Sequence, residues 1–352
     1  MNLSDLIDTI LQDHTVTDIH IRENMTPWLR SDIGNHFQAN VEPIDSGVIQ
    51  SWIDAHVFPD CKSRLKKKGG AHDFAITVRK NRLRGQVFLV GGQVGIVLRK
   101  LSEKLLKFES LGIPNKVLDL FSKSRGLVAV TGATGSGKST TCASIINHFN
   151  NTRSEHIITA EDPIEYLFKS NKSLIDQLEI GPDADAPSYG ECLRSALRKD
   201  FDTLFIGEVR GRETMDIALE AAETGHLVMI TLHTNGAYQT IERIASFYEG
   251  AERAAVLNVL SSVLCGVVSQ VAMRDREKKI CLGVEVLNPT NPIRNLIKKN
   301  DIVGIRSEMY TGSKDGQLLL NDSLLKLIDE GRIDHETALA VAFDRDELEK
   351  KL

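Results

Sequence analysis

Gly132-Ala133-Thr134-Gly135-Ser136-Gly137-Lys138-Ser139 fits the pattern G-x-x-x-x-G-K-[ST] at every fixed position. An apolar run, Leu127 to Val130, comes just before it, and a helix-like segment, Thr140 to Phe149, follows. That strand–loop–helix setting is what the pattern needs in order to work. The glycines let successive backbone N–H groups turn inward around the β- and γ-phosphates of a nucleotide. Lys138 adds a point charge, and the Ser139 hydroxyl can ligate Mg²⁺. The helix beyond offers its positive N-terminus to the same anion. Thr134, Gly135, Ser136, Gly137, Lys138, Ser139 and Thr140 are therefore the candidate residues for binding ATP with Mg²⁺.

Two carboxylates and two histidines fall where they could act on such a ligand. His156 to Thr159 reads as a strand running into Ala160-Glu161-Asp162-Pro163, and Thr203 to Ile206 reads as another ending at Gly207-Glu208. Pro163 stops ladder pairing, which puts the acids in the loop past the strand. ATP hydrolysis needs one carboxylate to hold Mg²⁺, usually through water, and one to orient the attacking water. Glu161 and Glu208 supply that pair. His226 and His233 flank a fourth strand, Leu227 to Thr231. Seven residues of continuous strand would set the two about 23 Å apart, which keeps them from sharing one metal. His233 lies at the carboxyl end, where a γ-phosphate sensor would sit, and His226 at the other.

The elements that must position these groups are strands alternating with helices from Gly126 onward, the pattern of a mainly parallel sheet covered on both faces. Ligands in such open α/β sheets sit at the carboxyl ends of the strands. The preceding hundred residues differ. A short amphipathic helix (4–14), strands at Thr17–Ile21 and Pro27–Arg30, and a helix from Gly47 to Phe58 come first. Three runs, Asp73 to Val78, Asn81 to Val90 and Gly95 to Arg99, then suggest an antiparallel meander. Lys66-Lys67-Lys68-Gly69-Gly70 reads as a solvated loop. The expected organisation is a small α+β domain at 1–100, a linker at 101–114, and an α/β domain at 115–352 that ends in helices.

At 352 residues, two domains are expected. A net charge of −5 argues against a nucleic-acid partner, since neutralising phosphates needs a basic surface. The five scattered cysteines form no C-x-x-C pair, so reduced, cytoplasmic thiols are the simplest reading. Ala254 to Met273 is the least charged long stretch. Leu257, Leu260, Leu264, Val267 and Val271 recur there at helical spacing, which predicts a buried core helix and no membrane span. No direct membrane insertion is expected, and any membrane role would run through a partner.

On these residues the chain resembles the secretion ATPases of type II and type IV secretion and type IV pili, most closely their pilus retraction (twitching motility) branch. Thr17-Asp18-Ile19-His20-Ile21 is similar to the family's S-D-L-H-L opening of a PAS-like N-terminal domain, and Arg82-Leu83-Arg84 to its R-x-R strand. Gly132 to Thr140 matches the Walker A loop, and Glu161 to Glu165 the Asp box. Gly207 to Arg210 matches a Walker B end with Glu for the common Asp, and Ala222 to Thr234 the His box. Pro292-Ile293-Arg294-Asn295-Leu296-Ile297-Lys298-Lys299 resembles the A-I-R-N-L-I-R-E motif of retraction motors, and the tetracysteine insert usual in assembly and type II motors is absent.

The resemblance implies a RecA-like P-loop core and a homohexamer, with ATP between the N-terminal domain of one subunit and the core of another. Glu161 becomes the water-activating base, and Glu208 supports Mg²⁺ and the water. Arg82, Arg84 and Arg99 become interface arginines, and His226 and His233 coupling or sensing residues. The implied partner is an inner-membrane pilus platform protein, which would hold the motor peripherally at that membrane. Gly211-Arg212, Asp176-Gln177-Leu178, Pro292 and Lys299 depart from the family pattern. They leave open a related secretion or pilus-assembly ATPase. A nucleotide-gated regulatory module with little turnover is the alternative from another class.

Overall fold

The computed structural model describes all residues except 1, 32–33, 60–62, 64, 67–69, 102–104 and 182–183. Parts of the lysine-rich loop at 66–70 and of the linker at 101–114 thus lie outside the described residues. The chain divides into two compact units, Met1–Lys104 with Pro163–Leu167, and Leu105–Asp162 with Phe168–Leu352.

The first unit is built on β1 (Val16–Arg22), β2 (Trp28–Ser31), β3 (His36–Gln38), β4 (Ala71–Val78), β5 (Asn81–Val90) and β6 (Gln93–Lys100). They form an antiparallel sheet in the order β3-β2-β1-β6-β5-β4. Alternation in β1 sends Ile19 and Ile21 to the core face, where they join Leu6 and Ile7 of helix Leu3–Leu11 and Trp52 and Ile53 of helix Ser46–His56. Both helices carry side-chain caps: Asn2 Oδ1 accepts from Ser4 N at 2.9 Å, and Asp45 Oδ1 from Gly47 N at 2.7 Å. Gly91 and Gly92, with φ of 58° and 79°, make the tight β5–β6 turn that demands two left-handed residues.

The second unit holds β7 (Gly126–Thr131), β8 (His156–Glu161), β9 (Leu174–Glu179), β10 (Thr203–Ile206), β11 (Leu227–Leu232), β12 (Leu264–Arg274) and β13 (Ile280–Leu287). Their order is β13-β12-β7-β11-β10-β8-β9, parallel throughout except for the antiparallel β12–β13 pair. β7, β10 and β11 are buried at every position, as a sheet covered on both faces requires. One core gathers Leu127, Ile158, Ile206 and Ile230 with Met215 and Ile241 of covering helices, and the other gathers Val128, Val130 and Met229 with Ile145 and Phe149. β11 lies between β7 and β10, so the strand before the phosphate loop is one strand removed from the strand ending at Glu208. Helices including Leu320–Asp329 and His335–Val341 complete the C-terminal region around a separate small core.

One expectation is overturned. The single helix read from Ala254 to Met273 is helix Gly250–Val263 followed by strand β12. Leu264, Val267 and Val271 keep helical spacing by coincidence. A strand buried on both faces has no alternation to betray it, and the β-branched pair Val267-Val268 favours the extended form. Gly266 lets Leu120 close on the strand, where an added Cβ would meet its methyl carbon at 2.6 Å. Glu161 also differs slightly from expectation: it is the last residue of β8, paired with Glu179 of β9, so the ladder persists to it and stops before Pro163. Among the described residues, no helix is long and apolar enough to cross a membrane.

Candidate functional site

The phosphate loop leaves β7 at Gly132 and enters helix Lys138–Thr152 after Gly137. Gly132, Gly135 and Gly137 have φ of 143°, 81° and 86°, a region that L side chains rarely adopt. A Cβ on Gly132 would lie 2.3 Å from Gln270 O, so the loop's start is closed to any other residue. From β12, the buried Gln270 also donates through Nε2 to Ser136 O. The side-chain hydroxyl of Ser136 is buried without a hydrogen-bond partner. Lys138, 8% exposed, donates through Nζ to Gly132 O at 2.8 Å and Ala133 O at 3.0 Å. Left-handed glycines, a helix start with its orphan amides, a buried lysine and an unpaired hydroxyl make a donor set that fits a polyphosphate.

The ends of β8, β10 and β11 bring three more groups together. Glu161 is 8% exposed, and its Oε1 accepts from Thr159 Oγ1 at 2.7 Å and from Gln177 Nε2 of β9 at 3.3 Å. Gly207 N donates to Ala160 O at 2.8 Å and Val209 N to Thr231 O at 3.0 Å, which pins the Glu208 turn between β8 and β11. Glu208 Oε2 accepts from Arg210 Nη2 at 2.8 Å, and Oε1 lies 3.4 Å from His233 Nε2. Arg210 also lies 3.9 Å from Asp162.

His233 completes a chain of polar groups. Its Nδ1 is 3.3 Å from Lys138 Nζ. Lys138 as a donor and Glu208 as an acceptor select the tautomer with the proton on Nε2. Burial, and then the Lys138 charge, hold His233 below the ordinary histidine range despite the pull of Glu208. Glu208 resists ionisation through burial, yet the Arg210 hydrogen bond and charge, with His233 and Lys138, bring its carboxyl below the usual range. Neutral His233 and ionised Glu208 are therefore the states near neutral pH. Tyr189, at the start of helix Tyr189–Ala196, is pushed up by burial and by Asp162 and Glu208, so it stays a neutral phenol.

Within the second unit, His226 is the candidate that is not brought to this point. Ser139 and Thr140 stand half-buried in the first turn of the loop's helix, while Thr134 and Gly135 are exposed in the loop. His226 sits at the opposite end of β11, where its ring lies 4.3 Å from that of Phe201 and Nδ1 is 3.1 Å from Ala221 O. Its carbonyl accepts from Gly126 N at the start of β7 at 2.9 Å. Arg82, Arg84 and Arg99 belong to the first unit. Arg84 pairs in register with Arg99, whose Nε donates to the buried Asp18 Oδ1 at 2.7 Å, and Arg82 Nε donates to Ile164 O at 3.4 Å. Gln270 was invisible to sequence reasoning because its role depends on β12 lying beside β7. Reading the apolar stretch as a strand would have exposed it as the polar residue among buried neighbours.

A parallel sheet with one strand between the phosphate-loop strand and the acidic strand, and a lysine loop at its carboxyl edge, defines a RecA-like P-loop nucleotide-binding protein. The model of the type II/IV secretion system protein family matches residues 66–314, and the chain belongs to that family. It is 36% identical over 323 residues to the type IV pilus retraction ATPase PilT of Pseudomonas aeruginosa, covering 92% of this chain and 93% of that one. To a twitching motility protein of Neisseria gonorrhoeae it is 40% identical over 315 residues, or 89% and 83% of the two chains. The solved structure of the pilus retraction motor PilT with bound ADP superposes with a TM-score of 0.90 at 38% identity, covering 99% of each chain.

Proposed function

We propose that this chain is the ATP-hydrolysing subunit of a homohexameric motor that acts on an inner-membrane pilus platform and powers type IV pilus retraction. The observation that carries the hydrolytic reading is the line from Lys138 through His233 to Glu208 across the ends of three strand–loop junctions. Relatives named for pilus retraction and twitching, similar over nearly the whole chain, support the choice of work.

In this reading Lys138 and the amides of the loop from Thr134 to Thr140 hold the β- and γ-phosphates. Mg²⁺, held by Ser139 and through water by Glu208, would neutralise charge on the phosphate oxygens. Glu161 orients the attacking water and takes its proton. Burial shields this carboxylate from bulk solvent, and the Thr159 hydroxyl and the Gln177 amide hold its Oε1 in place. His233 reads the γ-phosphate through Lys138: an ammonium drawn toward phosphate leaves Nδ1, and Glu208 alone then sets the ring's position. Arg82, Arg84 and Arg99 stabilise transition-state charge on a neighbouring subunit's nucleotide. His226 is assigned to coupling, supported by its bond to the first residue of β7.

Purified protein should release phosphate from ATP, and deletion in a piliated cell should leave excess surface pili without twitching. Loss of pili on deletion would instead assign it to assembly, and intact pili with a secretion defect would assign it to a secretion system.

A further inference from the structure

Glu285 of β13 is 3% exposed and lies outside the groups assigned above. Its Oε1 accepts from Ala237 N at 2.6 Å, and its Oε2 from Leu320 N at 3.4 Å. These amides open helices Ala237–Ala245 and Leu320–Asp329, whose own N-cap residues, Gly236 and Leu319, make no side-chain cap. First-turn amides need acceptors, and a carboxylate there also meets the positive end of the helix. One side chain thus caps two helices that cannot cap themselves.

The first of those helices begins four residues after His233. Ser269 Oγ of β12 accepts from Gly236 N at 3.0 Å. Thr240 Oγ1 donates to Gly236 O at 2.9 Å, and lies 2.8 Å from Thr234 Oγ1 and 3.4 Å from Thr131 Oγ1. Thr131 is the last residue of β7 before the phosphate loop. Burial pushes the Glu285 carboxyl up, against the two amide bonds and the nearby Arg306 charge. The segment Thr234–Ala237 is therefore tied to β7, β12 and β13 by buried polar bonds, and His233 hangs from its start.

We propose that Glu285, with Ser269, is a positioning residue that fixes His233 between Lys138 and Glu208. The proposal rests on the reading of His233 as a group used in ATP hydrolysis. Glu285→Gln keeps the side chain's size but puts an NH₂ where one carboxylate oxygen accepted, and Ser269→Ala removes the Gly236 bond.

A double-mutant cycle on the full chain tests it. Each single variant should lower kcat for ATP about tenfold, as small misplacements of working groups do, with KM within about twofold. In a His233→Ala background, Glu285→Gln should change kcat by less than about twofold, because its effect passes through His233. An unchanged kcat, or an equal fall in both backgrounds, would overturn the proposal. Should Glu285→Gln not fold, Ser269→Ala against His233→Ala decides by the same criterion. If wild-type protein proves unable to hydrolyse ATP, the proposed function fails separately. Hydrogen exchange at 233–237 then decides this inference: exchange faster in Glu285→Gln by about tenfold or more supports it, and unchanged exchange overturns it.

Discussion

Lys138 Nζ and His233 Nδ1 stand 3.3 Å apart, joining the phosphate loop to the strand inserted between it and Glu208. The ammonium donates to a ring that must be neutral to accept, and burial with the Lys138 charge keeps it so. In the proposed hydrolytic role, this contact is what links the loop's ligand to Glu208, two strands away.

A pH profile follows from it. Because the pKa of His233 is depressed, protonation should remove activity only as pH falls below the ordinary histidine range, and raising the pH through that range should cost nothing. The acidic limb of kcat for wild type should therefore lie below that of a free imidazole. His233→Ala should lower kcat about ten- to a hundredfold and abolish that limb. Steady-state phosphate release across pH measures both.

His226 should separate cleanly from His233. Its ring packs on Phe201 and bonds near the Ala221 carbonyl, far along β11 from the phosphate loop. His226→Ala should cost about 1–3 kcal/mol of unfolding free energy. ATP turnover per folded molecule should fall less than in His233→Ala. Denaturant unfolding beside steady-state kinetics checks the ordering.

Gln270 is a strut. Replacing it by Leu removes the bond to Ser136 O, but it also removes Oε1, which is buried without a partner. The two effects offset, so stability should move by no more than about 1 kcal/mol. Nucleotide affinity should fall about tenfold as the loop loses its support, which is about 1.4 kcal/mol. Calorimetric titration with ADP reads this directly.

Arg84 tests whether the site is shared between subunits. Arg84→Ala should lose hydrolysis by about 10³-fold or more if the guanidinium stabilises transition-state charge. Mixing it with Lys138→Ala, itself inactive, should restore part of the activity, because each variant supplies the half that the other lacks. No recovery in mixed oligomers would count against action across subunits.

The elements around the site were legible because their signals are local. The apolar run Thr203–Ile206 coincides with β10, and the runs for β7, β8 and β11 agree with the strands to within two residues, since turn residues and polar strand ends bound each of them. β12 was not legible: a strand buried on both faces looks like a helix when Leu264, Val267 and Val271 fall at helical intervals. With β12 misread, the roles of Ser269, Gln270 and Glu285 could not be seen, because each depends on a neighbour far away in the chain. Residue types reveal a phosphate loop; they do not reveal what braces it.

In the proposed function, ATP is hydrolysed at a site where Lys138 binds phosphate and Glu161 activates water. The most direct measurement is ATP binding and phosphate release by Glu161→Gln in parallel with wild type. ATP affinity should stay within about threefold of wild type while turnover falls by about 10²-fold or more, the usual contribution of a general base. Wild-type turnover in Glu161→Gln would contradict that role.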